Sequence, residues 1–357
     1  GIWLTLCIAI AATVLMFVSI PLILGLAPDE NVRDPLQSYW IMLCLGATPH
    51  IFLAALRGLY NAVDRPWTGV TFTLIAVLLN IPLNMLFIHG GLGLESMGLL
   101  GAGVASLIAK SAGFGAMVLH WRYARSMSAY RAVGALDPTA LFSQFRNALP
   151  VAIGSLGEGG AYAVTGLLIA ALGTVAIAAN QLVHSVGILF YMVPIGLMIA
   201  SSIRIGGIFG ARENDRLHAA WVAATTLALV WSLCVLLVIL ISRDTLAVAL
   251  SPTPEVTVLA AVLFAAMALI QLADSLQSTA LGVLRGLSDN VIPNAISILM
   301  YWLVAIPIAW ILGFYLNYGA LGVLTGYATG ILLTSLVLHF RTRSQIGNLI
   351  RKEQSPW

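Results

Sequence analysis

The chain has 357 residues, of which 60% are hydrophobic and only 9% charged, with a formal net charge of +3. A soluble domain carries about 25% charged residues, so a water-soluble globular fold is excluded and lipid must be the solvent for most of the surface. The small positive balance does not signal nucleic acid, because the basic residues lie mostly in short gaps between apolar runs, where membrane proteins keep them.

In chain order, the first apolar run covers 2–26 and is too long for the core of a signal peptide, so it predicts a spanning helix. Runs at 36–60, 68–88 and 98–121 follow, each near the length of about 20 residues that crosses the hydrocarbon core as a helix. The stretch from Arg122 to Arg146 is polar, contains Asp137-Pro138, and reads as a linker between two lobes. Six more runs complete the pattern, at 147–172, 176–209, 219–242, 257–284, 291–314 and 318–340. The expected fold is therefore an all-α polytopic membrane protein. It has an N-lobe of four helices over 1–125, a cytoplasmic linker over 126–146, a C-lobe of six helices over 147–341 and a cytoplasmic tail over 342–357.

Basic residues orient these spans. Arg57, Arg65, Arg285, Arg341, Arg343, Arg351, Lys352 and every arginine between 122 and 216 fall on one side. Only Arg33 and Arg243 fall on the other, and Lys110 lies within a span. The excess of Lys and Arg on cytoplasmic loops then places the linker and the C-terminus in the cytoplasm.

Local patterns recur along the chain. Leu26-Ala27-Pro28 with Val32 returns as Leu250-Ser251-Pro252 with Val256, at an offset of 224. Leu56-Arg57-Gly58-Leu59 returns as Leu284-Arg285-Gly286-Leu287 at 228, Ile81-Pro82-Leu83 as Ile306-Pro307-Ile308 at 225, and Gly98 with Leu100-Gly101 as Gly319 with Leu321-Gly322 at 221. Four matches in one order describe a parallel repeat, an arrangement known among transporters. Helices 147–172 and 176–209 have no counterpart in the first half, so the repeat predicts twelve helices in all, with ten present in this sequence.

Two carboxylates stand inside apolar spans. Glu158 is eleven residues from Asn147, and Asp274 eleven residues from Arg285. At about 1.5 Å per residue both lie roughly 16 Å deep. A charge at that depth costs several kcal/mol unless it is paired, hydrated or neutralised, which makes such residues functional candidates. The alternative is a structural hydrogen bond between helices. Around Glu158 stand Gly154, Gly157, Gly159 and Gly160, with Pro150 before them and Tyr162 one turn beyond. Around Asp274 stand Gln271, Gln277 and Ser278, a polar stripe at helical spacing that could equally be interhelical glue. Asn80 and Asn84 put two amides on one helix face with Pro82 between them, either a polar site or a bonded kink. Lys110 is a possible partner for a buried acid, whereas His50, His184 and the glycines at 206, 207 and 210 read as packing and capping residues. Cys7, Cys44 and Cys234 sit in apolar runs without CxxC spacing and read as packing residues too. There is no Walker loop, HExxH or GxSxG, so nothing signals an enzyme.

These residues resemble the multidrug and toxic compound extrusion (MATE) transporters, nearest to their NorM-like branch. Asn80-Ile-Pro-Leu-Asn84, with Gly98 and the segment Gly101 to Ser106, is similar to that family's fifth and sixth helices. Pro150 through Glu158 resembles the seventh, whose acid takes part in cation coupling. The segment from Ala178 to Gln181, with Pro194 and Arg204, resembles the eighth. Asp274, followed by Leu284 to Leu287 and Pro293, resembles the tenth and eleventh, with Asp274 at the coupling aspartate. Ile270 stands where some sodium-coupled members carry Tyr, and Asn180 where His or Gln is usual.

The resemblance implies a monomeric antiporter of the bacterial inner membrane that exports organic cations and drugs in exchange for Na+ or H+ by alternating access. It uses no cofactor beyond the coupling ion. Glu158 and Asp274 would take that ion, Na+ included, with Asn80, Asn84, Tyr162, Gln181, Gln271, Gln277 and Ser278 lining the cavity. A lipid-linked precursor flippase, which would need a more basic cavity, and a membrane channel or scaffold are the alternatives.

Overall fold

The polar stretch that reads as a linker folds instead into local structure. A computed structural model describes residues 1–25, 30–91, 93–131 and 134–354, with the backbone alone of residues 30–32 and 352–354. After the fourth span, Arg125–Tyr130 form a 3-10 turn that buries Met127 completely. Arg131 clamps this turn by donating to the carbonyls of Ala124 and Trp121 at 2.6 and 3.2 Å. Asp137 then accepts the Thr139 N–H at 2.9 Å, and Pro138 opens a helix that runs to Ala170. An acid at the N-cap and proline at the first helical position are a helix start, so Asp137-Pro138 begins the fifth span nine residues before Asn147.

Among the described residues, ten helices are long and apolar enough to cross a membrane. They are α1 (Ile2–Gly25), α2 (Arg33–Ala62), α3 (Pro66–His89), α4 (Gly98–Tyr123), α5 (Pro138–Ala170), α6 (Thr174–Gly210), α7 (Asn214–Leu250), α8 (Pro254–Gly286), α9 (Val291–Tyr315) and α10 (Gly319–Arg351). Most begin and end within a few residues of the apolar runs. The exceptions besides α5 are α7, which runs eight residues past 242 to Leu250, and the last, which continues as helix to Gln354 through most of the expected tail. Outward side chains such as Ile241, Val258 and Leu303 are about two-thirds exposed or more, as expected where lipid covers the surface.

Contacts divide the chain into two units, Gly1–Arg146 and Asn147–Trp357. In the first, α2 and α3 pack on α4 and α1 packs on α2. Its core gathers Leu53, Leu56, Tyr60, Met117 and Met127, and Tyr60 Oη meets His120 Nδ1 at 2.6 Å. In the second, α8 is enclosed by α6, α7 and α10 and supplies much of the largest core, including Leu263, Phe264 and Met267. Thr253 caps its start by accepting the Val256 N–H, and Pro254 occupies the first turn.

The two units repeat the same turn devices. α2 ends with Asp64 at φ 58° and Arg65 N–H on the Tyr60 carbonyl, while α8 ends with Ser288 at φ 61° and Asp289 N–H on the Leu284 carbonyl. Both are helix ends closed by a left-handed residue, and they match at an offset of 224. α3 and α4 join through Met97 N–H on the Phe87 carbonyl, and α9 and α10 through Tyr318 N–H on the Leu312 carbonyl. The first glycine of α4 and of α10 is left-handed, Gly98 at 52° and Gly319 at 59°. A Cβ on Gly101 or Gly322 would strike the same Phe87 or Leu312 carbonyl.

This register corrects one sequence match. The Leu-Arg-Gly-Leu copies, offset by 228, are one helical turn out of step, with Arg285 in the last turn of α8 and Arg57 five residues before the end of α2. The fall from 225 to 221 between the later motifs arises in the α3–α4 connection, which is longer than its α9–α10 counterpart. The Leu26-Ala27-Pro28 copy lies outside the described residues.

Candidate functional site

Helix α5 presents two different faces. Gly154, Gly157 and Gly160, three residues apart, lie against Asn294, Ile298 and Trp302 of α9. With no Cβ in the way the helices approach closely enough for Trp302 Nε1 to donate to the Gly157 carbonyl at 3.1 Å. A Cβ on Gly157 would sit 2.7 Å from Ile298 Cγ1, and one on Gly160 3.1 Å from the Trp302 ring. On the other face Ser155, Glu158, Gly159 and Tyr162 line a cavity of about 460 Å³ within the second unit.

Three further helices complete the wall. α8 contributes Met267, Ile270, Gln271 and Asp274; α6 contributes Asn180, Val183, His184, Gly187, Ile188 and Tyr191; α10 contributes Leu324 and Tyr327. Tyr191 Oη donates to Glu158 Oε1 at 3.4 Å, and Gln271 Nε2 donates to the Gly187 carbonyl at 2.6 Å. The Gln271 amide oxygen is buried with no hydrogen-bond partner among the described residues. Tyr162 stacks on His184 at 4.9 Å between ring centres and meets Tyr327 edge-on at 6.3 Å.

The chamber therefore holds two carboxylates, amide and phenol oxygens, and aromatic faces, and among the described residues its lining includes no Lys or Arg. Two ionised carboxylates in one poorly solvated space repel each other and lose hydration. A metal ion or proton, or an organic cation, relieves both costs. Hard oxygen donors suit hard cations rather than copper, and among the described residues there is no cluster of three His, Cys, Asp or Glu side chains placed to hold a metal.

Of the residues singled out in the sequence, Glu158, Asp274, Tyr162 and Gln271 come together here. Gln277 and Ser278 do not line the cavity: both are buried in packing beyond Asp274, and Gln277 Nε2 donates to Tyr301 Oη on α9. Gln181 is exposed and its neighbour Asn180 takes the wall position, because one residue turns a helix face by about 100°. Asn80 and Asn84 belong to the first unit, half-buried and bonded to each other at 2.8 Å. Lys110 is half-buried in α4 and makes no salt bridge among the described residues.

His184, read as packing, is a wall residue, and Tyr191 and Tyr327 were missed. A signal for α6 existed: Asn180, His184 and Tyr191 are its polar and aromatic members at helical spacing within an apolar run. Tyr327 had none, being a lone tyrosine among small residues.

The MatE family model matches residues 1–86 and 150–311. The chain is 31% identical over 355 residues to the probable multidrug resistance protein NorM of Bradyrhizobium diazoefficiens, covering 96% of this chain and 75% of the relative. It is 28% identical over 353 residues to the multidrug resistance protein MdtK of Yersinia enterocolitica, covering 96% and 77%. Among solved structures, an outward-facing multidrug resistance MATE transporter superposes with a TM-score of 0.88 at 17% identity, covering 98% of this chain and 78% of that one. The Vibrio cholerae MATE transporter VcmN in its bent form gives 0.83 at 19%, again covering 98% and 78%. The fold is shared with these transporters, and the family match spans both units. This chain belongs to the MATE family of multidrug and toxic compound extrusion transporters.

Proposed function

We propose that the chain is a secondary antiporter that exports organic cations and drugs from the bacterial cytoplasm in exchange for Na+ or H+ by alternating access. The observation that carries this reading is the placing of Glu158 and Asp274, from different helices, in one cavity whose lining includes no Lys or Arg among the described residues. Its volume of about 460 Å³ falls in the range of sites for drug-sized ligands, roughly 300–1,000 Å³. Tyr162, Tyr191 and Tyr327 offer ring faces that attract a bound organic cation. The coupling ion and the exported cation draw on the same two carboxylates, so occupation by one weakens retention of the other. That competition is the exchange.

The relatives' names, multidrug resistance proteins NorM and MdtK, agree with this substrate class. The concentration of arginine on one side of the spans supports an inner-membrane orientation with the C-terminus cytoplasmic. The protein works as a monomer in this reading, because the cavity is walled by helices of one chain.

The test is transport in proteoliposomes containing the purified chain, a fluorescent organic cation, and Na+ and pH gradients imposed separately. Dye movement under one gradient, lost in Glu158→Gln and Asp274→Asn while both variants still insert and fold, is the expected result and identifies the ion. Movement that survives both substitutions overturns the assignment of the carboxylates. An absence of movement under either gradient, with movement of a lipid-linked anionic substrate, replaces the exporter with a flippase.

A further inference from the structure

Away from the carboxylate chamber, α6 and α7 leave a second cavity between them, of about 420 Å³. Its two walls have the same spacing. Leu197, Ala200, Ser201, Arg204, Ile205 and Ile208 recur on α6 at steps of three and four, and Arg216, Ala219, Ala220, Ala223, Ala224 and Leu227 recur in the same way on α7. Such faces normally fill each other's grooves. Here one wall is made largely of alanine, and both helices pack more extensively on α8 than on each other, so the space between them stays open.

The groove is not uniformly apolar. Ser201 is buried, 6% exposed, and lines it one turn from Arg204. Its hydroxyl makes no hydrogen bond among the described residues, although a helical serine commonly bonds the carbonyl one turn back. Arg204 is exposed and has no carboxylate partner among the described residues. Arg216 is exposed and pairs with Glu213 in the turn that joins the helices. Arg204 lies six residues before the end of α6, a depth of about 9 Å along the helix. An arginine this close to the helix end reaches the headgroup region, and the apolar residues back to Leu197 lead from it towards the hydrocarbon.

We infer that this groove binds an anionic phospholipid, its phosphate held by Arg204, Ser201 and Arg216 and one acyl chain lying along the alanine wall. Basic pockets between spanning helices on the cytoplasmic side suit such headgroups. A free phosphate would satisfy the arginines but leave most of the groove unfilled, and a zwitterionic lipid would bring a choline cation against them. The net charge therefore selects an anionic lipid.

The full chain, purified in detergent, is incubated with equal amounts of phosphatidylglycerol and phosphatidylcholine carrying the same chains. The last lipid retained is then identified by native mass spectrometry. Phosphatidylglycerol is expected to dominate. An unpaired arginine near the membrane surface is worth about a fivefold preference, so Arg204→Gln reduces the ratio by about that factor, Arg216→Gln, whose charge is shared with Glu213, by less, and the double variant by more than either alone. Arg204→Lys keeps most of the preference, which separates lost charge from lost folding. Ala223→Leu fills the groove and reduces retention of both lipids, and millimolar inorganic phosphate does not displace the bound lipid. An unchanged ratio in the double variant, full retention in Ala223→Leu, or displacement by phosphate overturns the proposal.

Discussion

Alanine introduced at Gly154 and at Gly159 should move stability in opposite directions, although the two glycines are five residues apart on one helix. Both are in the interior of α5, so both gain the same helix preference of alanine over glycine, about 1 kcal/mol. That gain cancels in the comparison, and what remains is the space each Cβ meets. At Gly159 nothing lies within 4 Å. At Gly154 a Cβ would fall within 2.7 Å of Asn294 Cγ and 2.9 Å of its Cβ, closer than real Cβ atoms come to other heavy atoms. Asn294 is buried and its amide is held on the Asn290 carbonyl at 2.6 Å, so it cannot swing aside without giving up that bond.

Overpacking of a close helix contact costs about 1–3 kcal/mol. Gly154→Ala should therefore be less stable than Gly159→Ala by about that difference, with Gly159→Ala at or above the parent protein. Thermal unfolding of the purified variants, followed by loss of the monodisperse peak in size-exclusion chromatography, measures the order directly. Equal midpoints for the two variants would refute the claim that α5 and α9 are joined through bare backbone.

Other outcomes follow from the same geometry. Tyr191→Phe removes a single long hydrogen bond to Glu158, worth about 1 kcal/mol or less, so drug transport in proteoliposomes should fall by less than tenfold while Glu158→Gln abolishes it. Gly322→Ala and Gly101→Ala should both destabilise, because each Cβ meets a backbone carbonyl rather than a movable side chain; thermal midpoints that fall for only one would show that the two turns are not equivalent devices. Arg341 Nε and Asp289 Oδ2 are 2.7 Å apart with side chains 21% and 17% exposed. A double-mutant cycle to alanine, read from unfolding midpoints, should give a coupling of about 1–3 kcal/mol, above that of the exposed Arg216–Glu213 pair.

Helix number and the two acids were readable from the chain because membrane depth makes both conspicuous. An apolar run long enough to span has few alternatives, and a carboxylate within it stands out against residues that transfer freely into lipid. Facing was harder. In water a helix marks its buried side with apolar residues, but here the lipid-facing and protein-facing sides of α6 are both apolar, so Asn180 and Gln181 could not be told apart by pattern. Gln277 was assigned to the cavity because it shares a stripe with Asp274, but its partner is Tyr301, a residue made visible only by the packing of α9 on α8. The start of α5 was hidden for the opposite reason. Residues 138–146 include Ser143, Gln144 and Arg146, polar enough to break an apolar run while remaining good helix material outside the hydrocarbon.

The glycine seam limits how α5 can move. Turning the helix about its own axis by one residue, about 100°, would take Glu158 out of the chamber and drive side chains into Asn294, Ile298 and Trp302. Rotation is thus forbidden by shape, whereas bending at Pro150 and tilting together with α9 are not. The two helices behave as a keyed shaft, in which Glu158 can change its depth or its access to water but keeps its heading. Selection for new substrates is steered by the same constraint: the cavity can be reshaped from α6 and α10, while the α9-facing side of α5 must remain almost without side chains.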